Sequence, residues 1–142
     1  MELKKTLYNA TATARGGRGG YVRSSDGVLD LDLAVPQEIG GDGGEATNPE
    51  QLFAAGYAAC FENALRRVAD NEGKDLSAAE ITANVGIGPV PGGGFGLAVE
   101  LVGSLPQFSG EEARSLMEQA HGLCPYSRAT AGNIEVRLEV AE

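Results

Sequence analysis

The sequence has few of the residues that build metal or nucleic-acid sites. It contains one histidine and two cysteines in 142 residues, which is too few for a conventional Cys/His zinc site in a single chain. Its 11 Lys and Arg are outnumbered by 20 Asp and Glu, so the formal net charge is -9. Such a charge disfavours nonspecific binding to nucleic acid or to an anionic membrane surface. We therefore expect no metal, nucleic-acid or membrane partner.

Long apolar segments are also missing. No run of the sequence reaches the roughly 18 apolar residues that a membrane-spanning helix needs. Residues 1–6 contain no apolar core of a secretory signal. We expect a single domain over residues 1–142 in the cytoplasm, where thiols are kept reduced. In that compartment, a catalytic or transient disulfide is a better expectation than a permanent structural one.

Alternation of apolar and polar residues predicts β-strands before and after an apolar middle segment. The predicted strands cover residues 7–13, 21–24, 29–35, 80–87, 95–102 and 134–140. Tight turns are indicated at Asp26-Gly27 and in the glycine-rich segment 91–94. Because such turns outnumber any βαβ crossover, the sequence predicts an α+β fold with antiparallel sheets.

Two helices are predicted. A central helix from about residue 48 to 72 has Pro49 in its first turn and Gly73 at its end. Its first half is apolar nearly all round, which predicts burial there, and its second half is amphipathic and surfaces. A second helix begins at a capping box at residues 109–112 and is expected to end near His121, at Gly122.

Cys60 lies inside the apolar run 53–61 of the central helix. A buried cysteine often serves only as a small hydrophobe, and apolar burial raises a thiol pKa. A reactive Cys60 therefore needs a cation beside it. Arg15 and Arg18, in a loop with four glycines, are candidates, although a flexible polar loop is the better explanation for either arginine taken alone.

Glu50 lies ten residues before Cys60 in the same predicted helix. The helix macrodipole alone explains a carboxylate in the first turn, but Glu50 could also hold an arginine by a bidentate pair. On one straight helix the two residues are about 15 Å apart along the axis and about 80° apart in direction. If they share a site, one of them must come from a partner chain. The functional interpretation of Glu50 thus predicts a dimer with sites at its interface.

Cys124 follows the end of the second predicted helix and precedes Pro125. A helix C-terminus carries partial negative charge, which disfavours a thiolate. Cys124 is therefore a candidate resolving thiol and not the attacking one, with simple packing as its alternative. His121, the one histidine, is better explained as a polar residue at a helix C-terminus than as a catalytic base.

Several motifs together resemble a known family. They are Gly16-Gly17-Arg18, Ser25-Asp26-Gly27-Val28-Leu29, the segment 47–61 (TNPEQLFAAGYAACF), Cys124-Pro125-Tyr126-Ser127, Ala129-Thr130 and Gly132-Asn133. In this order they span nearly the whole chain. They resemble the Ohr/OsmC family of thiol-dependent organic hydroperoxide reductases, most closely its organic hydroperoxide resistance (Ohr) branch.

The resemblance implies a role for each matching residue. Cys60 matches the peroxidatic cysteine, Cys124 the resolving cysteine, Arg18 the arginine that activates the thiolate, and Glu50 the carboxylate that orients that arginine. It also implies an intertwined α+β homodimer with antiparallel sheets around a long central helix and with two sites at the interface. The expected substrates are organic hydroperoxides. The expected reductant is a dithiol such as a lipoylated protein or dihydrolipoamide, and no bound cofactor is expected.

Alternatives stay open at this point. An OsmC-type osmotically induced peroxidase would use the same chemistry but would have a different physiological role. A redox sensor would use the same cysteine pair without turnover, and a structural dimer would contain inert packed cysteines. The aromatic residues around the two cysteines could line an apolar substrate site or belong to the ordinary core; they are Phe53, Tyr57, Phe61 and Tyr126.

Overall fold

The structure, a computed structural model, describes residues 1–142. It contains six β-strands, three α-helices and two short 3-10 helices, so the predicted α+β class is confirmed. The chain divides into two compact units, Met1–Pro49 and Glu50–Glu142. None of its helices combines the length and the apolarity that crossing a membrane requires.

The N-terminal unit is built on a three-stranded antiparallel sheet of order β1-β2-β3. Its elements are β1 (Ala12–Arg15), β2 (Tyr21–Ser24), β3 (Asp30–Asp32) and 3-10 helices at Gly17–Gly19 and Gln37–Ile39. The predicted strand 21–24 is confirmed at its predicted bounds. The strand predicted over residues 7–13 is wrong for residues 7–11, which are exposed and belong to no strand.

The Asp-Gly turn between β2 and β3 is confirmed. Gly27 has a φ of 75°, which is the left-handed region that glycine enters without a steric penalty. Asp26 Oδ1 accepts a hydrogen bond from the Val28 N–H at 3.0 Å. Asp26 thereby stabilises the turn through its own side chain.

The C-terminal unit contains the long helix and a second three-stranded sheet. Its elements are α1 (Pro49–Asn71), β4 (Glu80–Pro89), β5 (Phe95–Ser104), α2 (Gly110–Leu123), α3 (Pro125–Thr130) and β6 (Val136–Val140). The strand order is β4-β5-β6; β4 and β5 are antiparallel, but β5 and β6 are parallel. The prediction of purely antiparallel sheets is therefore wrong here, because α2 and α3 form a crossover connection between β5 and β6.

The core of this unit lies between α1, α2 and the central strand β5. Its buried side chains are Tyr57, Phe61, Ala64, Leu65, Val68, Ala69, Leu76, Val99, Leu101, Leu105, Ala113, Leu116, Met117, Ala120 and Cys124. On α1 the buried side chains begin only at Tyr57. The prediction that the first half of α1 is the buried half is therefore wrong within this chain: residues 50–56 are only partly buried or exposed.

Helix α2 begins where the sequence predicts but ends one residue later. The N-cap half of the capping box is confirmed, because the Glu112 N–H donates to Ser109 Oγ at 3.2 Å. The Glu112 carboxylate accepts a hydrogen bond from the Ser109 hydroxyl at 3.1 Å. The prediction that α2 ends at Gly122 is wrong by a short step, since α2 continues to Leu123. The stop is set instead by Pro125, which disfavours a helical conformation at the residue before it. Cys124 accordingly has an extended backbone, with φ -62° and ψ 122°.

Candidate active site

The structure brings the two cysteines together. Cys60 lies in the middle of α1, and Cys124 lies at the junction of α2 and α3. Their Sγ atoms are 3.6 Å apart, and both thiols are free. A disulfide needs an S–S separation near 2.05 Å, so the two sulfurs must approach by roughly 1.5 Å for a bond to form. A contact between residues 64 positions apart in sequence places two redox-capable groups within reach of one another.

The two thiols differ in their access to solvent. Cys124 is fully buried, with 0% of its surface exposed, whereas Cys60 is partly exposed. A small molecule that diffuses to this pair therefore reaches the Cys60 sulfur first. This difference agrees with the prediction that Cys60 attacks and Cys124 resolves.

The backbone of Cys124 is fixed from both sides. Its N–H donates to the Ala120 carbonyl in α2 at 2.8 Å, and its carbonyl accepts from the Arg128 N–H in α3 at 2.9 Å. The residue thus caps the C-terminus of one helix and the N-terminus of the next. The predicted position after a helix end is confirmed, but the start of α3 was not predicted. The partial positive charge at that start offsets part of the negative charge on which the sequence argument depended.

The pKa of the Cys60 thiol is raised, and burial is the largest cause. A hydrogen bond from the Tyr126 backbone N–H to the sulfur lowers this pKa in part, while the nearby Cys124 thiol raises it further. The direction confirms the expectation from sequence that apolar surroundings oppose the thiolate. A reactive Cys60 therefore needs a positive charge from elsewhere in the protein.

Arg18 and Glu50 lie in different units of the chain. Arg18 is the middle residue of the 3-10 helix Gly17–Gly19 in the N-terminal unit. Glu50 lies in the first turn of α1, where it begins the C-terminal unit. Because α1 is continuous from Pro49 to Asn71, the predicted separation of Glu50 and Cys60 along one helix holds. The approach of Arg18 and Glu50 to Cys60 stays a prediction.

The aromatic residues near the thiols divide into two groups. Tyr57 and Phe61 are fully buried core residues, so for them the core interpretation is confirmed. Phe53 is partly buried against the core, and Tyr126 is 40% exposed. The Tyr126 ring fits over Gly56, where an added Cβ would lie 3.0 Å from Tyr126 Oη. Because Gly56 has no side chain, the ring of Tyr126 on α3 can lie directly on the backbone of α1.

Sequence reasoning missed a group of four hydrogen-bonded side chains beside the thiols, which we call the polar chain: His121, Ser127, Tyr57 and Thr130. Ser127 Oγ lies 2.8 Å from His121 Nδ1 and 2.8 Å from Tyr57 Oη. Tyr57 Oη lies 3.3 Å from Thr130 Oγ1. Ser127 and Thr130 are the buried polar residues of the chain. The only signal in the sequence is the spacing of Ser127 and Thr130, two hydroxyl residues three positions apart after Cys124-Pro125. This spacing places both hydroxyls on one face of a helix, but the helix α3 was not predicted.

His121 is half-buried at the end of α2, and this burial lowers its pKa below the usual range. Its ring is therefore neutral at neutral pH. The prediction that His121 is a polar residue at a helix C-terminus is confirmed, and its partner is the Ser127 hydroxyl.

Comparison with known families and sequences gives one consistent result. Residues 41–139 match the model of the family described as OsmC-like protein. The chain is 52% identical over 139 residues to the organic hydroperoxide resistance protein of Xanthomonas axonopodis pv. citri, covering 97% of each chain.

Solved structures give the same result. An organic hydroperoxide resistance protein from Legionella pneumophila superposes with a TM-score of 0.91 at 49% identity, covering 97% of this chain and 100% of that chain. The organic hydroperoxide resistance protein OhrB of Bacillus subtilis superposes with a TM-score of 0.88 at 45% identity, covering 96% and 100%.

Proposed function

Because the chain belongs to the OsmC-like protein family and to its organic hydroperoxide resistance group, we propose that it is a cysteine-based peroxidase that reduces organic hydroperoxides to alcohols. The observation that carries this proposal is the pair of free thiols with Sγ atoms 3.6 Å apart, one partly exposed and one buried. A peroxidatic thiol must first react with the hydroperoxide and then form a disulfide with a second thiol. The Cys60–Cys124 pair supports both steps.

In the first step the Cys60 thiolate attacks the outer oxygen of the hydroperoxide. The O–O bond breaks, the alkoxide takes up a proton and leaves as the alcohol, and Cys60 becomes a sulfenic acid. Arg18, held by Glu50, supplies the positive charge that overcomes the effect of burial on the Cys60 pKa. The same guanidinium stabilises the charge that develops on the leaving oxygen.

In the second step the Cys124 sulfur attacks the Cys60 sulfur. The S–O bond breaks, hydroxide leaves and is protonated to water, and the Cys60–Cys124 disulfide forms. An external dithiol, of the lipoyl type, then reduces the disulfide by thiol–disulfide exchange and is itself oxidised. The chemistry uses no metal, flavin or haem.

We also propose that the functional unit is an intertwined homodimer in which residues 1–142 form one domain with α1 at its centre. Two observations support a partner chain. The apolar first half of α1 is incompletely buried, and Leu3, Leu7 and Tyr8 are each at least 76% exposed. The separation of Glu50 from Cys60 on α1 also requires a second chain if both serve one site. Sedimentation equilibrium should give twice the chain mass of 14.6 kDa, and a monomer mass at working concentration would contradict the dimer.

The substrate preference follows from the surroundings of Cys60. An apolar wall stabilises a bound alkyl tail by about 0.8 kcal/mol per buried CH₂, and hydrogen peroxide gains nothing from it. Phe53 and Tyr126 stay candidates for that wall, because neither is fully buried. Alkyl and lipid hydroperoxides are therefore the expected substrates in preference to hydrogen peroxide.

Catalytic turnover tests the proposed function. We expect the reduced protein to consume many equivalents of an alkyl hydroperoxide when dihydrolipoamide is supplied in excess, because each disulfide is returned to the dithiol. The measurement is steady-state consumption of the hydroperoxide, with monothiol glutathione as the matched reductant control. If the protein forms one disulfide and then stops in the presence of any dithiol, it is a redox sensor and not an enzyme.

A further inference from the structure

We propose that the polar chain is a positioning device for the resolving step: the Tyr57 hydroxyl holds α3, and with it Cys124, in reach of Cys60. This inference rests on the proposed function, since it concerns the step in which Cys124 condenses with the Cys60 sulfenic acid. Tyr57, Ser127 and Thr130 do not touch the reacting atoms in this proposal. They act through the placement of the Cys124 backbone.

The first observation is that α3 cannot hold its own position. It has six residues, and an isolated helix of that length is unstable in water because nucleation is unfavourable. Its place must therefore come from contacts with its surroundings. Cys124 is the N-cap residue of this helix, so any displacement of α3 moves the resolving sulfur.

The second observation is what α3 contacts on α1. Tyr126 lies over Gly56, with its ring centroid 5.7 Å from that of Tyr57. The Tyr57 hydroxyl, which is fully buried, contacts Ser127 Oγ at 2.8 Å and Thr130 Oγ1 at 3.3 Å. Tyr57 also lies one turn before Cys60 on α1. A single side chain therefore connects the helix of the attacking thiol to the helix that begins at the resolving thiol.

The third observation fixes the direction of the hydrogen bonds. Thr130 Oγ1 lies 3.0 Å from the Ser127 carbonyl and can donate to it. The Tyr57 hydroxyl can then donate to Thr130, the Ser127 hydroxyl can donate to Tyr57, and His121 Nδ1–H can donate to Ser127. This arrangement makes four hydrogen bonds, and every other assignment of the protons loses one of them. The polar chain is complete only when the Nδ1 atom of His121 carries a proton.

The consequence concerns the fate of the sulfenic acid. Because the two sulfurs are held close together, disulfide formation is an intramolecular reaction. A small misalignment of the Cys124 sulfur with the Cys60 sulfur therefore slows it strongly. While Cys60 waits as a sulfenic acid, a second hydroperoxide can oxidise it to the sulfinic acid, which dithiols do not reduce. A well-placed Cys124 therefore protects Cys60 from irreversible oxidation as well as completing the cycle.

The test is Tyr57→Phe, which removes the hydroxyl and keeps the buried ring. We expect the rate of Cys60 oxidation by an alkyl hydroperoxide to stay within about twofold of wild type, while disulfide formation slows by about tenfold or more. A dimedone-type probe should trap correspondingly more Cys60 sulfenic acid, and sulfinic acid should accumulate under repeated dosing. Tyr21→Phe, the same change in strand β2 of the N-terminal unit, is the matched control and should behave as wild type.

A thermal melt shows whether Tyr57→Phe is folded. If it is not, Thr130→Val removes the two hydrogen bonds of the Thr130 hydroxyl, with Tyr57 and with the Ser127 carbonyl, with little change in shape. It leaves the contact of Tyr57 with Ser127, so a smaller slowing of disulfide formation is expected. Disulfide formation at the wild-type rate in folded Tyr57→Phe or Thr130→Val would overturn the inference. If wild type itself forms no disulfide with a hydroperoxide, the proposed function has failed, which is a different result.

A second measurement on the wild-type protein does not depend on peroxide chemistry. His121 is the one histidine of the chain, so its ring nitrogens give the only histidine side-chain signals in a ¹⁵N NMR spectrum. We expect the neutral ring to carry its proton on Nδ1. A proton on Nε2 with a bare Nδ1 would overturn the assigned direction of the polar chain, because the Ser127 hydroxyl would then donate to His121 and one of the four hydrogen bonds would be lost.

Discussion

Replacement of Cys60 by serine should abolish organic hydroperoxide reduction. A serine hydroxyl is almost fully protonated at neutral pH and cannot form a sulfenic acid, so neither the first nor the second step can take place. Consumption of an alkyl hydroperoxide with excess dihydrolipoamide should fall to the uncatalysed rate. The substitution is nearly isosteric, and Cys60 is only partly buried, so the fold should survive.

Cys124→Ser is the matched control for this prediction, because it removes a sulfur from the same pair. This variant should still consume about one equivalent of hydroperoxide per chain in a rapid first phase and form a Cys60 sulfenic acid that a dimedone-type probe can trap. Cys60→Ser should show no such phase. If Cys60→Ser retained the rapid phase and Cys124→Ser lost it, the roles of the two cysteines would be reversed.

Replacement of Arg18 by alanine should have the next largest effect. Burial raises the Cys60 pKa, and an opposite charge nearby lowers a pKa by about 1 to 3 units. Without the guanidinium the effect of burial is unopposed, and the thiolate fraction at neutral pH should fall by about 10- to 1000-fold. The rate of Cys60 oxidation should fall by at least as much, because the leaving oxygen also loses its positive partner.

The pH dependence separates this cause from a damaged fold. The reactive form of Cys60 is the anion, so a raised pKa moves the rise in reactivity to higher pH. The rate deficit of Arg18→Ala should therefore shrink as the pH is increased, and alkylation of Cys60 followed against pH should give a higher pKa than in wild type. Arg23→Ala is the control, since Arg23 is 58% exposed and pairs with Asp30 at 2.9 Å. An unchanged Cys60 pKa in Arg18→Ala would show that another group activates the thiol.

Local patterns predicted much of the fold, because each depends on only a few neighbouring residues. The Asp26-Gly27 turn, strand β2, the capping box of α2 and the approximate span of α1 follow from turn chemistry, alternation and capping. The parallel pairing of β5 with β6 did not follow, since it depends on the path of a crossover and not on either strand. The burial of α1 was predicted at the wrong end, because the apolar surface of a helix does not reveal which of its turns the rest of the chain covers.

The candidate site shows the same division. The pairing of Cys60 with Cys124 was predicted from the roles of two thiols and from family resemblance, and the structure places their sulfurs 3.6 Å apart. The polar chain was missed, because its members come from α1, α2 and α3 and share no pattern along the sequence. A six-residue helix that begins at a proline is too short to show a clear periodicity of apolar residues, so α3 was not predicted from the sequence.

The most direct measurement is peptide mapping of the reduced wild-type protein after one equivalent of an alkyl hydroperoxide. The protein would be treated with an alkylating agent and digested without reductant, so that free and bonded cysteines are distinguished by mass. We predict one disulfide joining Cys60 to Cys124 of the same chain and the disappearance of both free thiols. Two alkylated cysteines in a protein exposed to hydroperoxide would contradict the proposed peroxidase and leave the two thiols as packed core residues.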